Sequence, residues 1–498
     1  MSAMRMDDET RGFLTTLAMR ETYRDAYGLA RDPILDDRLR WRAQTFRHLV
    51  HLAPGEHVLE LGSGSGRFTA QLAKVSRGEN PITSIELAKA RDFELPQLPK
   101  ESFDYVVAID LLDERNSPWL LQQTFDLLKA GGQAVFYESN PWNPVLRLRR
   151  MFAQLTHHPD PRRLLDRTRL YELISEIGFI RVFAIHNDFV YAPLPRSLVW
   201  LFRNLSIVLE NTPLLKNLAG SILIHVQKPP RFIERAKPSL AEHSQLWGKV
   251  SIVIPCYNEE MNVEPLVTDL ISYYDQYIHE IILVDDNSKD RTRAEIERMS
   301  SIDHRVVGVF RSPPNGVGLA LRAGYEHAKG EWVLSMDCDF RHLLPDLREL
   351  FDAVAAGSDV AIGSRFSRHS VLLNYPLGKI LANRGFHLLA RIVLRRGLRD
   401  LTNNLKLMRR SVLKSLDFQE SGFAINAETG LQPLLAGFAV TEVPISWINR
   451  TPGMGTSSFR LFSVGGGYWR VLLRLLRNDL GRHNLAGPSC RRATHRPG

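Results

Sequence analysis

The chain has 498 residues, 44% of them hydrophobic and 24% charged, and a formal net charge of +9. That length accommodates roughly two to four domains with sizeable cores, and the positive balance keeps anionic partners open, phosphates or a membrane surface among them. The three cysteines, Cys256, Cys338 and Cys490, lie far apart, which excludes a disulfide framework or a CxxC metal site and fits a reducing cytoplasm.

Residues 1–20 carry acids and lack an uninterrupted apolar core, so no secretory signal is expected there. No window of about 18 uncharged apolar residues occurs, so no membrane span is predicted. Residues 7–51 read as helices, and 1–50 form the N-terminal helical segment of a first domain. From His57 the chain reads strand, glycine loop, helix start, with Glu60, Gly62, Gly64 and Gly66 at alternate positions. Glycines let the backbone approach an anionic or ribose-bearing ligand, and a helix N-terminus adds partial positive charge. A dinucleotide GxGxxG started at Gly62 needs glycine at position 67, where Arg67 stands.

The Glu60-x-Gly62-x-Gly64-x-Gly66 pattern resembles motif I of class I S-adenosylmethionine-dependent methyltransferases. Supporting stretches follow in order: a strand ending at Glu86, a strand over 102–110, a Gly131-Gly132 turn, and strand-like 222–226. The resemblance implies a doubly wound Rossmann-type α/β domain over 51–226 that binds S-adenosylmethionine. Its cofactor residues would be Glu60, Gly62, Gly64, Gly66, Glu86, which takes the ribose hydroxyls, and Asp104. Only sixteen residues separate Glu86 from Phe103, too few for the helix and strand the family places there, which need about 20 or more. That half is therefore expected to be abbreviated, and 91–96 stands where the adenine contacts belong.

Residues 227–248, rich in proline and charge and lacking apolar periodicity, read as a linker. Three apolar runs follow, each closing on polar residues: Pro255, Tyr257 and Glu259; then Asp285 and Asp286; then Asp337 and Asp339. Buried strands with a site at their carboxyl ends are the pattern of an open α/β sheet. Asp337 and Asp339, two apart, share a strand face unless the chain turns there, and a hard divalent cation, Mg²⁺ or Mn²⁺, is the usual company for such a pair. A solvated acidic turn is the bland alternative for that pair alone.

Over residues 249–468 the pattern resembles family-2 glycosyltransferases of the GT-A type, near the dolichol-phosphate-mannose synthase group. The resemblance implies a second open-sheet α/β domain with a nucleotide-diphospho-sugar transferase fold. Pro255, Tyr257, Glu259, Asp285 and Asp286 would bind the donor, with Gly316 and Gly318 at a helix start beside its diphosphate. Asp337 and Asp339 would hold the metal, Arg341 would reach the diphosphate, and Arg365 and Arg450 would face phosphate. Arg384 is the acceptor-phosphate candidate, and Asp400 and Glu428 are the candidate general bases for an alcohol acceptor. Ser458 replaces a family lysine near Arg450.

Basic amphipathic stretches at 379–399 and 470–477 suit either an anionic membrane surface or packing on their own domain. Residues 469–498 form that helix and a basic tail. The favoured reading is a bifunctional enzyme: a metal-dependent inverting glycosyltransferase, acting on a polyprenyl-phosphate or other lipid or small-molecule acceptor, fused to a methyltransferase. It is expected to be cytoplasmic, with peripheral contact on the inner face of the membrane as an option. The alternative makes the first half a non-catalytic docking domain. A nucleic-acid methyltransferase ranks last, because the charge is diffuse and no nucleic-acid module is present.

Overall fold

The computed structural model describes residues 35–85, 98–155, 163–190, 195–230, 238–367, 369–373, 375–394, 398–400, 402–448 and 466–477. Glu86 and Arg450, and the stretches 91–96 and 451–465, lie outside them, as does the side chain of His342. Two compact units divide the chain: residues 1–238 with 371–377, and residues 239–370 with 378–498.

In the first unit, β1 (Val58–Leu61), β2 (Ile82–Ile85), β3 (Phe103–Ile109), β4 (Leu128–Ser139), β5 (Ile180–Asn187) and β6 (Ser221–Gln227) form one sheet in the order β2-β1-β3-β4-β6-β5. The first four in that order run parallel, and β6 is antiparallel to both β4 and β5. β3 is buried almost throughout, as expected of a strand covered on both faces. The covering helices are α1 (Leu35–Val50), α2 (Arg67–Val75), α3 (Ser117–Leu127), α4 (Pro144–Leu155), α5 (Arg167–Ile177) and α6 (Arg196–Glu210). α5 shows the local logic: the Asp166 carboxylate accepts from Arg169 N, and Gly178, at φ 99°, closes the helix. Residues 86–97, most of the short segment between β2 and β3, lie outside the described residues. Residues 371–377, which carry a further strand, β12 (Val371–Leu373), group with this unit.

The second unit's sheet contains β7 (Val250–Cys256), β8 (Ile278–Asp285), β9 (Val306–Phe310), β10 (Trp332–Ser335), β11 (Val360–Ser364), β13 (Lys406–Arg409) and β14 (Val440–Pro444), in the order β14-β11-β13-β10-β7-β8-β9. β10, β7, β8 and β9 are parallel, while β13 runs antiparallel between β10 and β11. Its helices are α7 (Val263–Tyr274), α8 (Thr292–Ile302), α9 (Val317–His327), α10 (Leu347–Ala355), α11 (Leu377–Leu394), α12 (Ile425–Ala436) and α13 (466–477). α10 buries Leu347, Leu350, Phe351 and Val354, the i, i+3, i+4, i+7 stripe of a helix laid on a sheet. Both sheets are thus open α/β sheets whose strand order reverses, beside β1 in one and beside β7 in the other. Crevices at such reversals, at the carboxyl ends of strands, are where ligands bind.

Candidate active site

In the first unit the loop after β1 holds Gly62 at φ 74°, Gly64 at 49° and Gly66 at 74°. This is left-handed backbone that side chains disfavour. Gly62 N and Ser63 N both donate to Ile85 O, at 3.0 and 3.1 Å, which ties the loop to β2. Glu60 is buried, and burial raises its carboxyl above the usual range, against the opposing hydrogen bonds from Thr69 and Ser84. Its oxygens are therefore engaged with α2 and β2 around the loop. Asp104 does not join this site. It stands at the amino end of β3, where its carboxylate accepts from His57 N at 3.0 Å and from Lys129 Nζ at 2.6 Å. The acid at the correct edge is Asp110, just past β3, at φ 55° and accepting from Ser139 Oγ. The sequence signal for it was available, since the strand reads through to that residue.

In the second unit the loops after β7 and β8 interlock. Asn258 N donates to Ser288 Oγ at 3.0 Å, Lys289 N donates to Asn258 Oδ1 at 2.8 Å, and Glu259 N donates to Thr292 Oγ1 at 2.7 Å. Pro255 is half-buried, Tyr257 is exposed on this edge, and Asp285 is buried, accepting from Ser288 N. Asp286 faces another way. It accepts from Gly316 N at 2.6 Å and from Arg311, and its backbone oxygen takes Asn315 Nδ2 at 2.7 Å. It caps and positions the loop that opens α9.

The glycines of that loop serve packing, which corrects their expected role beside a diphosphate. A Cβ on Gly316 would meet Ser421 O at 2.4 Å, and one on Gly318 would meet Glu420 O at 2.4 Å. Gly318 N donates to Ser421 O at 2.9 Å. With Gly316 N on Asp286, and Leu319 N also on Ser421 O at 3.3 Å, these amides at the helix start are engaged within the chain.

β10 stops at Ser335, so Asp337 and Asp339 sit not on one strand face but in the turn after it, closed by Phe340 N on Asp337 O at 3.2 Å, next to the end of β7. Burial first, and then the Asp339 charge, pushes the Asp337 carboxyl up to about 7, although Asn404 Nδ2 donates to it at 2.8 Å. Glu259 adds to the same field. Asn404 belongs to the stretch 400–406, in which the sequence named only Asp400 as a site residue. Thr402 Oγ1 accepts from Arg365 Nη2 at 2.8 Å, Asn403 Nδ2 donates to Gly363 O at 2.8 Å, and Lys406 Nζ donates to Asn403 O and Asn426 O. Burial lowers the Lys406 ammonium to about 7. Arg341, expected at the diphosphate, instead pairs with Asp269 of α7.

Arg365 and Asp400 form a buried fork. Nε and Nη2 of the arginine donate at 2.7 and 2.8 Å, and Arg365 N adds a third bond at 2.9 Å. Burial raises the Asp400 carboxyl, but Arg365 overcomes it and holds the group at about 2. Such a carboxylate is too weak a base, and too engaged, to take a proton from an alcohol. Glu428 is likewise tied down, accepting from Gln419 N, Glu420 N and Arg474. Both candidate bases are structural. Beside the fork, His387 Nε2 lies 3.9 Å from Asp400, and the Arg384 guanidinium stacks 5.2 Å from the Phe366 ring.

Residues 37–182 match the family model for a methyltransferase domain, and residues 251–417 match that for glycosyl transferase family 2. Over 214 residues the chain is 32% identical to polyprenol monophosphomannose synthase of Mycolicibacterium smegmatis, covering 42% of this chain and 80% of that protein. It is 31% identical over 207 residues to dolichol-phosphate mannosyltransferase of Pyrococcus furiosus, covering 41% of this chain and 58% of that protein's length. It also aligns with a crystal structure of glucosyl-3-phosphoglycerate synthase from Mycobacterium tuberculosis in complex with Mn²⁺ and UDP-glucose. There the TM-score is 0.37 at 19% identity, covering 47% of this chain and 79% of that one. No helix among the described residues is long and apolar enough to cross a membrane.

The fork sets an acid limit on the second unit. A carboxyl held at about 2 against an ordinary 3.8 stabilises the fold by about 2–3 kcal/mol, at about 1.4 kcal/mol per pH unit. Because the folded value is the lower one, this stabilisation is complete above the ordinary value and is lost as pH falls through about 2. Asp400→Asn, which strands a buried guanidinium, is expected to cost about 3–5 kcal/mol near neutrality. The gap between wild type and variant in urea unfolding should narrow from pH 5 to pH 2.5; a constant gap would mean the fork contributes no such term.

Proposed function

The second half of the chain belongs to glycosyl transferase family 2, and from that premise we propose an inverting, single-displacement sugar transfer from a nucleotide-diphospho-sugar to a polyprenyl phosphate. The observation that carries the reading is the crowding of Asp337 and Asp339. Two carboxylates at a strand end, one of them driven up to about 7 by burial and by the other, form a donor set that suits a hard divalent cation. Asp337 and Asp339 would hold Mg²⁺ or Mn²⁺, which when bound supplies charge neutralisation for the leaving diphosphate.

The chain's own residues do the rest. Tyr257, Pro255 and Asp285 line the nucleoside end of the edge, with Glu259 set by Thr292. Asp286 and Arg311 hold the loop 311–316 that closes beside them. Arg365 contributes a fixed positive charge whose orientation Asp400 sets, and a preoriented cation stabilises developing negative charge with no reorganisation. A phosphate acceptor is already ionised and needs no base. That agrees with Asp400 and Glu428 both being occupied by arginines, and with the lipid phosphates in the names of the two mannosyl-transferring relatives. Arg384, partly buried beside Phe366, is the acceptor-phosphate residue. Calorimetry with a panel of nucleotide sugars should find one donor that binds only with Mg²⁺ or Mn²⁺ and is lost in Asp339→Asn. Equal binding without metal would overturn the metal site.

The acceptor's lipid is assigned to α11 and α13. Their inner faces pack through Ala390, Leu394, Tyr468, Val471 and Leu472, while Leu388, Ile392 and Trp469 stay exposed among arginines. An environment-sensitive fluorophore on Leu388→Cys should shift to the blue with anionic vesicles, and the shift should weaken with Ile392→Glu; no shift would count against this face.

For the first unit we propose S-adenosylmethionine binding at the Gly62–Gly66 loop, with methyl transfer as its activity. The docking-domain alternative draws on the sixteen residues between Glu86 and Phe103, a short span for the family's helix and strand. S-adenosylhomocysteine should bind the wild-type chain and not Gly64→Val, which forces a branched side chain into left-handed backbone. No binding to either protein would favour the docking alternative.

A further inference from the structure

The first unit carries an apolar surface that neither the glycine loop nor the transferase reading uses. Trp142 follows β4 and is 55% exposed; Leu148 and Met151 project from α4; Leu201, at 54%, and Leu205 project from α6; Leu214, at 81%, precedes a short turn over Leu215–Leu218. These elements are bound together. Asn140 Nδ2 donates to Asn217 O at 2.8 Å and to Ala219 O at 2.7 Å, and Asn143 Nδ2 donates to Leu218 O at 2.6 Å. α6 is two-faced: Val199, Ser206 and Ile207 are buried, and Arg203 stacks 4.9 Å from the Trp41 ring. Its outward Leu198, Leu201 and Leu205 sit three and four apart on one side. The apolar residues are thus on display from a well-packed scaffold. Exposed apolar side chains gathered on elements tied together in this way mark an interaction site.

Charge identifies the occupant. Residues 140–155 contain three arginines and no acid. Residues 195–220 contain one acid, Glu210, which is buried and accepts from Asp188 N at 2.9 Å and Ser206 Oγ at 2.6 Å. Exposed cations, Arg147 and Lys216, remain at the margin, and Arg147 stacks 4.9 Å from the Trp142 ring. A second copy of this patch would bring cations against cations. Leucine and tryptophan tips with two exposed cations at their margin, and no exposed acid in either segment, suit the interface of an anionic bilayer.

We propose that this surface docks the first unit on an anionic lipid bilayer, independently of α11 and α13. β4 ends, and the antiparallel β6 begins, at the edge that also carries the loop after β1. Docking therefore turns the proposed cofactor edge toward the membrane, and a methyl acceptor reaching that edge would be lipid-borne, a corollary that rests on the methyltransferase reading.

The test uses the full chain with Cys490→Ser, leaving only the buried Cys256 and Cys338 as native thiols. Leu214→Cys, and separately Leu201→Cys, are labelled with an environment-sensitive fluorophore; Ile302→Cys, exposed on α8, is the control. Vesicles of phosphatidylcholine with phosphatidylglycerol should shift the label at 214 and 201 to the blue, less so at high salt, and leave 302 unchanged. Leu201→Glu with Leu205→Glu should weaken the 214 response by about tenfold or more. No shift at 214 and 201 in the presence of these vesicles overturns the proposal, and so does a lipid-independent shift that grows with protein concentration, which would assign the face to a second copy. Donor calorimetry is untouched by either result, so failure here is distinct from failure of the transferase reading.

Discussion

Placing a guanidinium and a carboxylate together in the interior costs several kcal/mol per charge, which only near-ideal geometry offsets, and the Arg365–Asp400 fork meets that condition. Two side-chain bonds and one backbone bond join the partners, Thr402 takes a further guanidinium hydrogen, and Glu442 accepts from Arg399 N and Asp400 N. Everything on the β10 side of the site hangs from this arrangement. The chain leaving Asp400 is fixed by Asn403 on Gly363 and Asn404 on Asp337 before it enters β13. The orientation of an acidic metal candidate is thus set through a bond network that begins at an ion pair on another strand.

Strand positions and both glycine-bearing loops were legible from local pattern, because a buried parallel strand declares itself as an apolar run and a left-handed turn as glycine. The direction of a strand was legible too, and neglecting it misplaced Asp104 at the wrong edge while Asp110 stood at the right one. Partners were not legible. Asp400 and Glu428 read as acids near a site, and nothing in their spacing says that arginines 35 residues before and 46 residues after would claim them. Gly316 and Gly318 read as phosphate loops, yet the close approach they permit is that of the 420–422 backbone. The bracing role of 402–406 was not legible for a related reason: it depends on β13 running antiparallel between β10 and β11, a non-local fact.

Each unit arrives at the same solution by a different route. Parallel strands point their carboxyl ends one way, the reversal of strand order opens a crevice there, and loops fill it with side chains. In the first unit a Thr69–Glu60–Ser84 set of hydrogen bonds braces the loop; in the second, an acid on the β8 loop caps a helix start. Both devices set the shape that a ligand would meet.

The two buried thiols carry one more consequence. Ser335 pairs with Val253 across β10 and β7, so three residues further Cys338, between Asp337 and Asp339, comes opposite Cys256. The neighbouring Cys256 side chain, together with burial, holds the Cys338 thiol well above its usual value. Closed, this strand end offers an alkylating reagent neither access nor thiolate. Modification must therefore wait for local opening, and its rate becomes a clock for the opening of the Asp337–Asp339 edge, one that runs slower whenever an occupant ties the two strands together.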